Sequence, residues 1–222
     1  MNSTLEKLLG EISRYAPAAA DGYARIRALI DADGALPASQ KALMVAVNAS
    51  RARDPELAQS ELRRADALGL PPRQRAAALT TLLLSRGESL AAAFASAGGS
   101  IDPGGDKLPA YAGPPDQYLL DYMVMDILPP RMSQLADRVP EAFAGYGAMH
   151  HAALRAEPEL ALLAELILCS LNAADLETEF IAIHAASARR VGATDEQLVE
   201  AVLCAIPVSG VGAWAAAAAA LF

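Results

Sequence analysis

Residues 162–200 read LLAELILCSLNAADLETEFIAIHAASARRVGATDEQLVE, and the pattern of apolar residues changes along this stretch. A nearly continuous apolar segment at about 159–172 and an amphipathic segment at about 176–190 have the lengths of helices, with a turn at 172–176 between them. Helices joined by so short a turn lie roughly antiparallel. The stretch therefore predicts a helical hairpin, preceded by another helix at about 140–155.

The residues after this hairpin mark the boundaries of the next helix. Gly192 can adopt the positive φ of a helix C-cap, which ends the hairpin's second helix. Thr194 and Gln197 have the spacing of a capping box, in which each side chain satisfies a free amide at the start of a helix. We expect this third helix to end near residue 206, because Pro207 follows it.

Composition favours a helical protein that does not bind nucleic acid. Of the 222 residues, 54% are hydrophobic and 20% are charged, with alanine dominant and aromatic residues at only 5%. Because alanine favours helices, the predicted fold class is all-α. The formal net charge of -8 argues against a surface that follows phosphates, since nucleic-acid binding needs clustered Lys and Arg.

The helical pattern occurs twice along the chain. When the sequence is aligned with itself at one offset, residues of uncommon types coincide, and a slip of one residue also aligns Asn48 with Asn172. The coinciding pairs are Pro17 with Pro140, Gly22 with Gly145, Tyr23 with Tyr146, Gly69 with Gly192, Gln74 with Gln197, and Gly87 with Gly210. We therefore predict two tandem helical repeats, a degenerate one at 1–97 and a second at 117–222, joined by a Gly/Pro-rich linker at 98–116.

Residues 201–222 carry no charged side chain and have the length of a membrane span. Pro207 and two glycines interrupt this segment, and the repeat aligns it with residues 78–99, where Arg86 and Glu88 are charged. A buried helix is therefore favoured over a membrane span. The N-terminus mixes charges at helical spacing and lacks the apolar run of a secretion signal, so we expect a cytoplasmic protein.

The two cysteines, Cys169 and Cys204, lie far apart in the sequence and form no Cys-x-x-Cys pair. Neither a metal knuckle nor a local redox motif follows from this spacing. We expect both cysteines to be small, buried apolar groups.

Acidic and basic side chains are concentrated on the predicted hairpin. Glu165 lies on its first helix, and Glu177 and His184 lie two turns apart on one face of its second helix. The apolar residues around Glu165 would remove its hydration, which raises the pKa of the carboxyl and suits it to carrying a proton near neutral pH. The three residues have the composition of a proton relay. The alternative is structural, with Glu165 paired to Arg155 or Arg189 and His184 satisfied within the core.

The spacing of these residues resembles a family signature. Glu165, Glu177, Phe180 and His184 fall where the alkylhydroperoxidase D-like and carboxymuconolactone decarboxylase superfamily has Glu, Cys, Cys and His, and VGATDEQLVEAV at 191–202 is similar to its next helix. The chain departs from the signature where Glu177 and Phe180 replace the two cysteines. Thiol-based peroxide reduction needs an attacking thiolate and a resolving thiol, so we expect no thiol peroxidase activity.

The decarboxylase branch of this superfamily works without those cysteines and without a cofactor. The resemblance therefore implies acid-base chemistry on a small carboxylated or carbonyl-containing substrate. It implies His184 and Glu165 as catalytic residues. We expect Glu177 to be a positioning or second acid-base group, because its position matches the signature but its residue type does not. It also implies a homo-oligomer, which we expect to be a trimer of two-repeat chains.

The first repeat has different residues at the corresponding positions, namely Lys41, Asp54, Leu57 and Glu61. Lys41 and Glu61 can pair in place of the missing Glu and His, which makes this half a scaffold. The alternative is that Lys41 binds a substrate carboxylate.

Four residues are candidates for substrate binding: Phe180, Tyr146, His150 and Trp214. Core packing is the alternative for the aromatic residues. His150 and His151 are helix neighbours that point about 100° apart, so only one of them can face a pocket. A histidine there, together with His184 and Glu165, also has the ligand types for Zn or Fe.

Three functions are compatible with these observations. The leading prediction is a cofactor-independent decarboxylase or isomerase that acts on a small, cyclic organic acid or lactone. The second is a non-catalytic binding or assembly protein on the same fold, with its pocket absent or filled and Glu165 bonded to an arginine. The third is a metal-dependent enzyme with His and Glu ligands.

Overall fold

The computed structural model describes residues 3–99, 107–109, 113, 118–119 and 132–222. Every regular element within these ranges is a helix, which confirms the predicted all-α class. Most of the predicted linker at 98–116 lies outside the described residues.

Prolines set the starts of several helices in residues 3–99. Pro17, Pro55 and Pro72 each occupy the first turn of a helix, where the missing amide donor costs nothing. The helices are α1 Ser3–Tyr15, α2 Pro17–Asp31, α3 Ala38–Arg51, α4 Pro55–Ala67, α5 Pro72–Arg86 and α6 Glu88–Gly98.

Prolines, a capping box and residues with positive φ set the helix boundaries in residues 132–222. The helices are α7 Met132–Arg138, α8 Pro140–Leu154, α9 Pro158–Asp175, α10 Thr178–Arg190, α11 Asp195–Leu203, α12 Ile206–Ser209 and α13 Gly212–Leu221. The predicted capping box is confirmed, because Thr194 Oγ1 accepts from the Gln197 amide at 3.2 Å and Gln197 Oε1 accepts from the Thr194 amide at 3.0 Å. Gly192 has the expected positive φ, at 100°.

Two helix boundaries differ from the sequence prediction. Helix α9 continues past residue 172 to Asp175, and the turn is made by Leu176, whose φ of 62° lies in the left-handed region. Helix α11 ends at Leu203, and Pro207 lies in the first turn of the short α12. The proline therefore begins a helix here, because the first turn tolerates its missing amide.

The largest hydrophobic core contains residues from both halves of the chain. At its centre α3 packs on α9, and both helices are buried over nearly their whole length. Cys169 and Cys204 are free and fully buried, as predicted. Burial raises the pKa of the Cys204 thiol to about 12, which makes it unreactive as a thiolate at neutral pH.

The Ala-rich segment at the end of the sequence belongs to this core. Ala213, Ala217 and Leu221 on α13 are buried in it, and α13 packs against α9, α10 and α11. Among the described residues no helix is both long enough and apolar enough to span a membrane.

An ion pair between Lys41 and Glu200 links the two halves of the chain. The Lys41 side chain is only 1% exposed, and its ammonium donates to Glu200 Oε2 at 3.0 Å and to the Leu29 carbonyl at 2.9 Å. Glu200, on α11, also accepts from the backbone amides of Ala35 and Leu36, each at 2.9 Å. Glu200 therefore orders the chain before α3 as well as neutralising a buried cation.

The predicted pairing of Lys41 with Glu61 is wrong. The Lys41 ammonium is bonded to a carboxylate from the other half of the chain, and Glu61 is bonded to Arg27 and Arg64. Neither Lys41 nor Glu61 lines the cavity described below, so substrate binding by Lys41 is also not supported. Sequence spacing could not reveal these partners, because they come from segments that only the fold brings together.

We expect Glu200→Ala to lower the free energy of unfolding by about 3 kcal/mol, because it leaves the Lys41 ammonium buried without its carboxylate. Chemical denaturation measures this change. Glu196→Ala is the matched control, since Glu196 is an exposed glutamate on the same helix, and it should cost less than about 1 kcal/mol. Equal effects of the two substitutions would contradict the role of Glu200.

Candidate active site

Glu165 projects from the middle of α9 and is completely buried. Its Oε1 accepts from Arg155 Nη1 at 3.0 Å and from Ser187 Oγ at 2.6 Å, and its Oε2 lies 2.9 Å from His184 Nδ1. Arg155 Nη2 also donates to Ser187 Oγ at 2.9 Å, which closes a ring of hydrogen bonds at Oε1. The structure thus brings the predicted pair of Glu165 and His184 into direct contact and adds Arg155 and Ser187 to it.

Three neighbouring helices position these side chains. His184 and Ser187 lie three residues apart on α10 and therefore share the face that packs against α9. Arg155 is the C-cap residue of α8, which also packs against α9. The carboxylate of Glu165 is consequently enclosed by groups from both flanking helices.

The contact fixes the tautomer of His184. A carboxylate has no proton to donate, so Nδ1 of His184 must carry the proton in this hydrogen bond. Nε2 is then an acceptor when the ring is neutral and a donor when it is charged. The His184 side chain is 20% exposed and lines a cavity, so its ring is placed to exchange a proton with a bound molecule.

The expected rise in the pKa of Glu165 is wrong. Burial by itself raises the pKa of this carboxyl, but hydrogen bonds from His184 and Ser187 and the positive charges of His184 and Arg155 outweigh burial and lower the pKa. The lost hydration follows from the apolar neighbours of Glu165 in the sequence, whereas its donors lie at the end of α8 and on α10 and are brought to it only by the fold. Glu165 is therefore a carboxylate at neutral pH.

A cavity of about 610 Å³ opens beside this pair, within the size range of sites for small organic molecules. Its lining includes six of the residues predicted from sequence: Glu165, Glu177, His184, Phe180, Tyr146 and His150. The structure does not bring Trp214 to the cavity, because α13 packs its partly buried indole against the hydrophobic core. Leu84, Leu154 and Leu168 make much of the remaining wall apolar.

Glu177 and Phe180 occupy the start of α10. Glu177 is the N-cap residue of this helix and is exposed, and its side chain makes no capping hydrogen bond. Phe180 is half-buried and adds an aromatic ring to the wall. Glu177 therefore contributes an exposed acidic side chain to the cavity lining, whereas the carboxylate of Glu165 is buried.

His150, rather than His151, lines the cavity. Its Nδ1 lies 2.9 Å from the hydroxyl of Tyr118, and the ring of Tyr146 packs edge-on against it with a centroid distance of 5.6 Å. Burial lowers the pKa of His150 to about 4, although the negative charge of Glu165 acts in the opposite direction. His150 is therefore a neutral imidazole at physiological pH.

The N-terminal half supplies part of the cavity lining, which the sequence analysis missed. Arg51, in the last turn of α3, and Arg86, in the last turn of α5, both line the cavity and both bind Asp175 at the end of α9, Arg86 at 2.9 Å. Arg86 also donates to Asn172 Oδ1 at 2.6 Å. Arginine is common near helix C-termini, so its presence there does not predict a site. That Arg86 lines the cavity becomes visible only from the packing of α5 on α8 and α9.

Within the part of the chain that the structure describes, no group of three or more His, Cys, Asp or Glu side chains is placed to hold a metal ion. Comparison of the chain with known protein families, with curated proteins and with solved structures found no match. An imidazole backed by a buried carboxylate, at the wall of a mostly apolar cavity, is an arrangement suited to general acid-base catalysis.

The buried neutral state of His150 makes stability depend on pH. Because the pKa of His150 is about 4 in the folded chain and 6.5 in the unfolded chain, the unfolded chain binds more protons between these values and stability falls as the pH decreases. When the pH is lowered from about 7.5 to 5, we expect the free energy of unfolding to fall by about 2 kcal/mol because of His150. Denaturant titration at each pH measures this change. His150→Phe should remove this part of the slope.

His151→Phe is the matched control, because its ring does not line the cavity. The charge of His151 is the smallest of the causes that shift the pKa of His150, so this variant should retain most of the pH dependence of the wild type. Glu165 does not contribute in this window. Its lowered pKa stabilises the protein above the ordinary carboxyl value of 4.5, and that stabilisation is lost only as the pH falls below it. The same slope in His150→Phe and in the wild type would show that His150 is not held neutral.

Proposed function

We propose that the protein is a cofactor-independent enzyme that decarboxylates or isomerises a small, cyclic organic acid or lactone by acid-base chemistry. The observation that carries this proposal is the 2.9 Å contact between Glu165 Oε2 and His184 Nδ1 at the lining of a cavity of about 610 Å³. Burying a carboxylate is costly, and a purely structural use of it would not require an imidazole facing an open space. The geometry therefore favours proton transfer to a bound molecule.

In a decarboxylation, the carbon–carbon bond to the substrate carboxylate breaks, CO2 leaves, and the bonding electron pair moves into an adjacent carbonyl to form an enolate. The charged ring of His184 then donates its Nε2 proton to the enolate carbon, becomes neutral, and regains a proton from solvent. In an isomerisation, the neutral Nε2 instead removes a proton from one carbon and returns it to another. Both reactions use the same ring in the same position.

Glu165 supports His184 in this mechanism without exchanging a proton itself. Its negative charge stabilises the charged imidazole, and its Oε2 holds the Nδ1–H tautomer that directs Nε2 away from α9. Arg155 and Ser187 fix the carboxylate through Oε1. We assign Glu177, an exposed residue of the cavity lining, as a positioning or second acid-base group.

The proposal includes descent from a duplicated unit related to the alkylhydroperoxidase D-like and carboxymuconolactone decarboxylase superfamily, and assembly into a homo-oligomer, with a trimer favoured. Support for the duplication comes from residues that coincide in the self-alignment and share a local structure. Pro17 and Pro140 begin α2 and α8, Gly69 and Gly192 have φ values of 79° and 100°, and Gly87 and Gly210 have φ values of 75° and 70°. A positive φ favours glycine, so these pairs are informative.

A non-catalytic binding protein is the second candidate, and one observation favours it. Arg155 is bonded to Glu165 at 3.0 Å, as expected for a carboxylate that serves structure alone. That ion pair, however, engages Oε1, and Oε2 is bonded to His184. Turnover by the wild type, and its loss in variants of the pair, separates the two candidates.

We expect His184→Ala and Glu165→Gln each to reduce turnover by at least ~10²-fold, because they remove the proton donor and the charge that orients it. Cyclic β-keto acids and unsaturated lactones that raise the melting temperature are the substrates to test, since a ligand of the folded state stabilises it by mass action. Proton NMR then follows loss of CO2 or movement of the double bond.

His151→Ala and Glu179→Gln are the controls, because they change the same residue types outside the cavity lining and should retain nearly full turnover. Circular dichroism checks that each variant is folded. Full turnover in both His184→Ala and Glu165→Gln would overturn the proposed mechanism. Ligands that stabilise the wild type but are never converted would favour the binding protein.

A further inference from the structure

Tyr118 and His150 form a second polar pair at the cavity, distinct from the pair that contains His184. The Tyr118 hydroxyl lies 2.9 Å from His150 Nδ1, and the two ring centroids are 5.7 Å apart. Tyr118 packs in a small apolar cluster around Phe143, and Tyr146, which packs against the same cluster, contacts the imidazole edge-on. The orientation of the His150 ring is therefore fixed from several sides.

His150 differs from His184 in its protonation. It is only 5% exposed, and burial lowers its pKa to about 4, so the ring is a neutral imidazole at physiological pH. A neutral imidazole has one N–H donor and one lone pair. Such a donor can stabilise a developing negative charge without giving up its proton to it. This is a different task from the proton transfer assigned to His184.

We propose that His150 is a catalytic residue that donates its Nε2–H to the oxygen of the substrate enolate, and that Tyr118 is a positioning residue that sets this tautomer by donating its hydroxyl proton to Nδ1. The inference rests on the proposed function of the same cavity. No bond to His150 forms or breaks. The electron pair released from the substrate carbon collects on the oxygen, where the hydrogen bond stabilises it, while His184 handles the proton on carbon.

Tyr146 is the competing donor for the same oxygen. It lines the cavity, and burial together with the charge of Glu165 raises the pKa of its hydroxyl to about 12, so it is also a neutral donor. His150 is favoured because Tyr118 fixes its ring, and a donor stabilises a transition state best when it is oriented before the reaction. The test below separates the two residues.

The probe is 4-nitrophenolate, whose oxygen carries negative charge as an enolate oxygen does, compared with 4-nitroanisole, in which a methyl group removes that charge. At about pH 8 this phenol is largely ionised. We expect the wild type to bind the phenolate at least about tenfold more tightly than the ether, as measured by calorimetry. His150→Phe should lose this preference, and Tyr118→Phe should reduce it severalfold.

His184→Ala should keep the preference for the phenolate, so this experiment does not depend on turnover and its failure is distinguishable from failure of the proposed function. The absence of a preference in the wild type would overturn the assignment of His150. The assignment would also be overturned if the preference for the phenolate survived in His150→Phe and was lost in Tyr146→Phe or in His184→Ala.

Nitrogen-15 NMR tests the same assignment without substituting His150. We expect the His150 ring of the wild type to be neutral with its proton on Nε2, and Tyr118→Phe to increase the fraction with the proton on Nδ1. A wild-type ring protonated on Nδ1 would overturn the proposal, even if the His150 variants did not fold.

Discussion

A carboxylate without solvent exposure has to be balanced by donors and positive charge from the protein, and Glu165 imposes this requirement on the middle of α9. The balance comes from Arg155 at the end of α8 and from His184 and Ser187 on α10. Three helices are thereby held in the register in which His184 reaches the cavity. The packing of these helices and the geometry of the site depend on the same contacts, because a shift of either neighbouring helix would remove hydrogen-bond donors from the buried carboxylate.

The N-terminal half uses buried charge in a different way. At the position that the self-alignment pairs with Glu165 stands Lys41, a buried cation neutralised by Glu200 from the other half of the chain. At the position paired with His184 stands Glu61, which Arg27 and Arg64 bind. These ionic groups pair with one another, and none of them lines the cavity. Buried charge thus contributes to the cavity wall at Glu165 and forms ion pairs away from the cavity at Lys41 and Glu61.

The features that could be predicted from sequence are those that depend on local pattern. The capping box at Thr194, the turn at Gly192 and the contact across the α9–α10 hairpin each follow from residues close in the sequence or from adjacent antiparallel helices. The partner of Lys41 and the cavity lining from α3 and α5 depend on contacts between distant segments. Long Arg and Lys side chains reach past their immediate neighbours, so sequence spacing does not identify their partners. The predicted direction of the pKa shift of Glu165 is wrong for the same reason, because the shift is set by donors from other helices rather than by burial.

Asp175 is bound by Arg51 and Arg86, and these two arginines, from α3 and α5, form part of the cavity lining. Because all of these lining residues belong to one chain, their local concentration at the cavity is fixed and does not depend on how much protein is present.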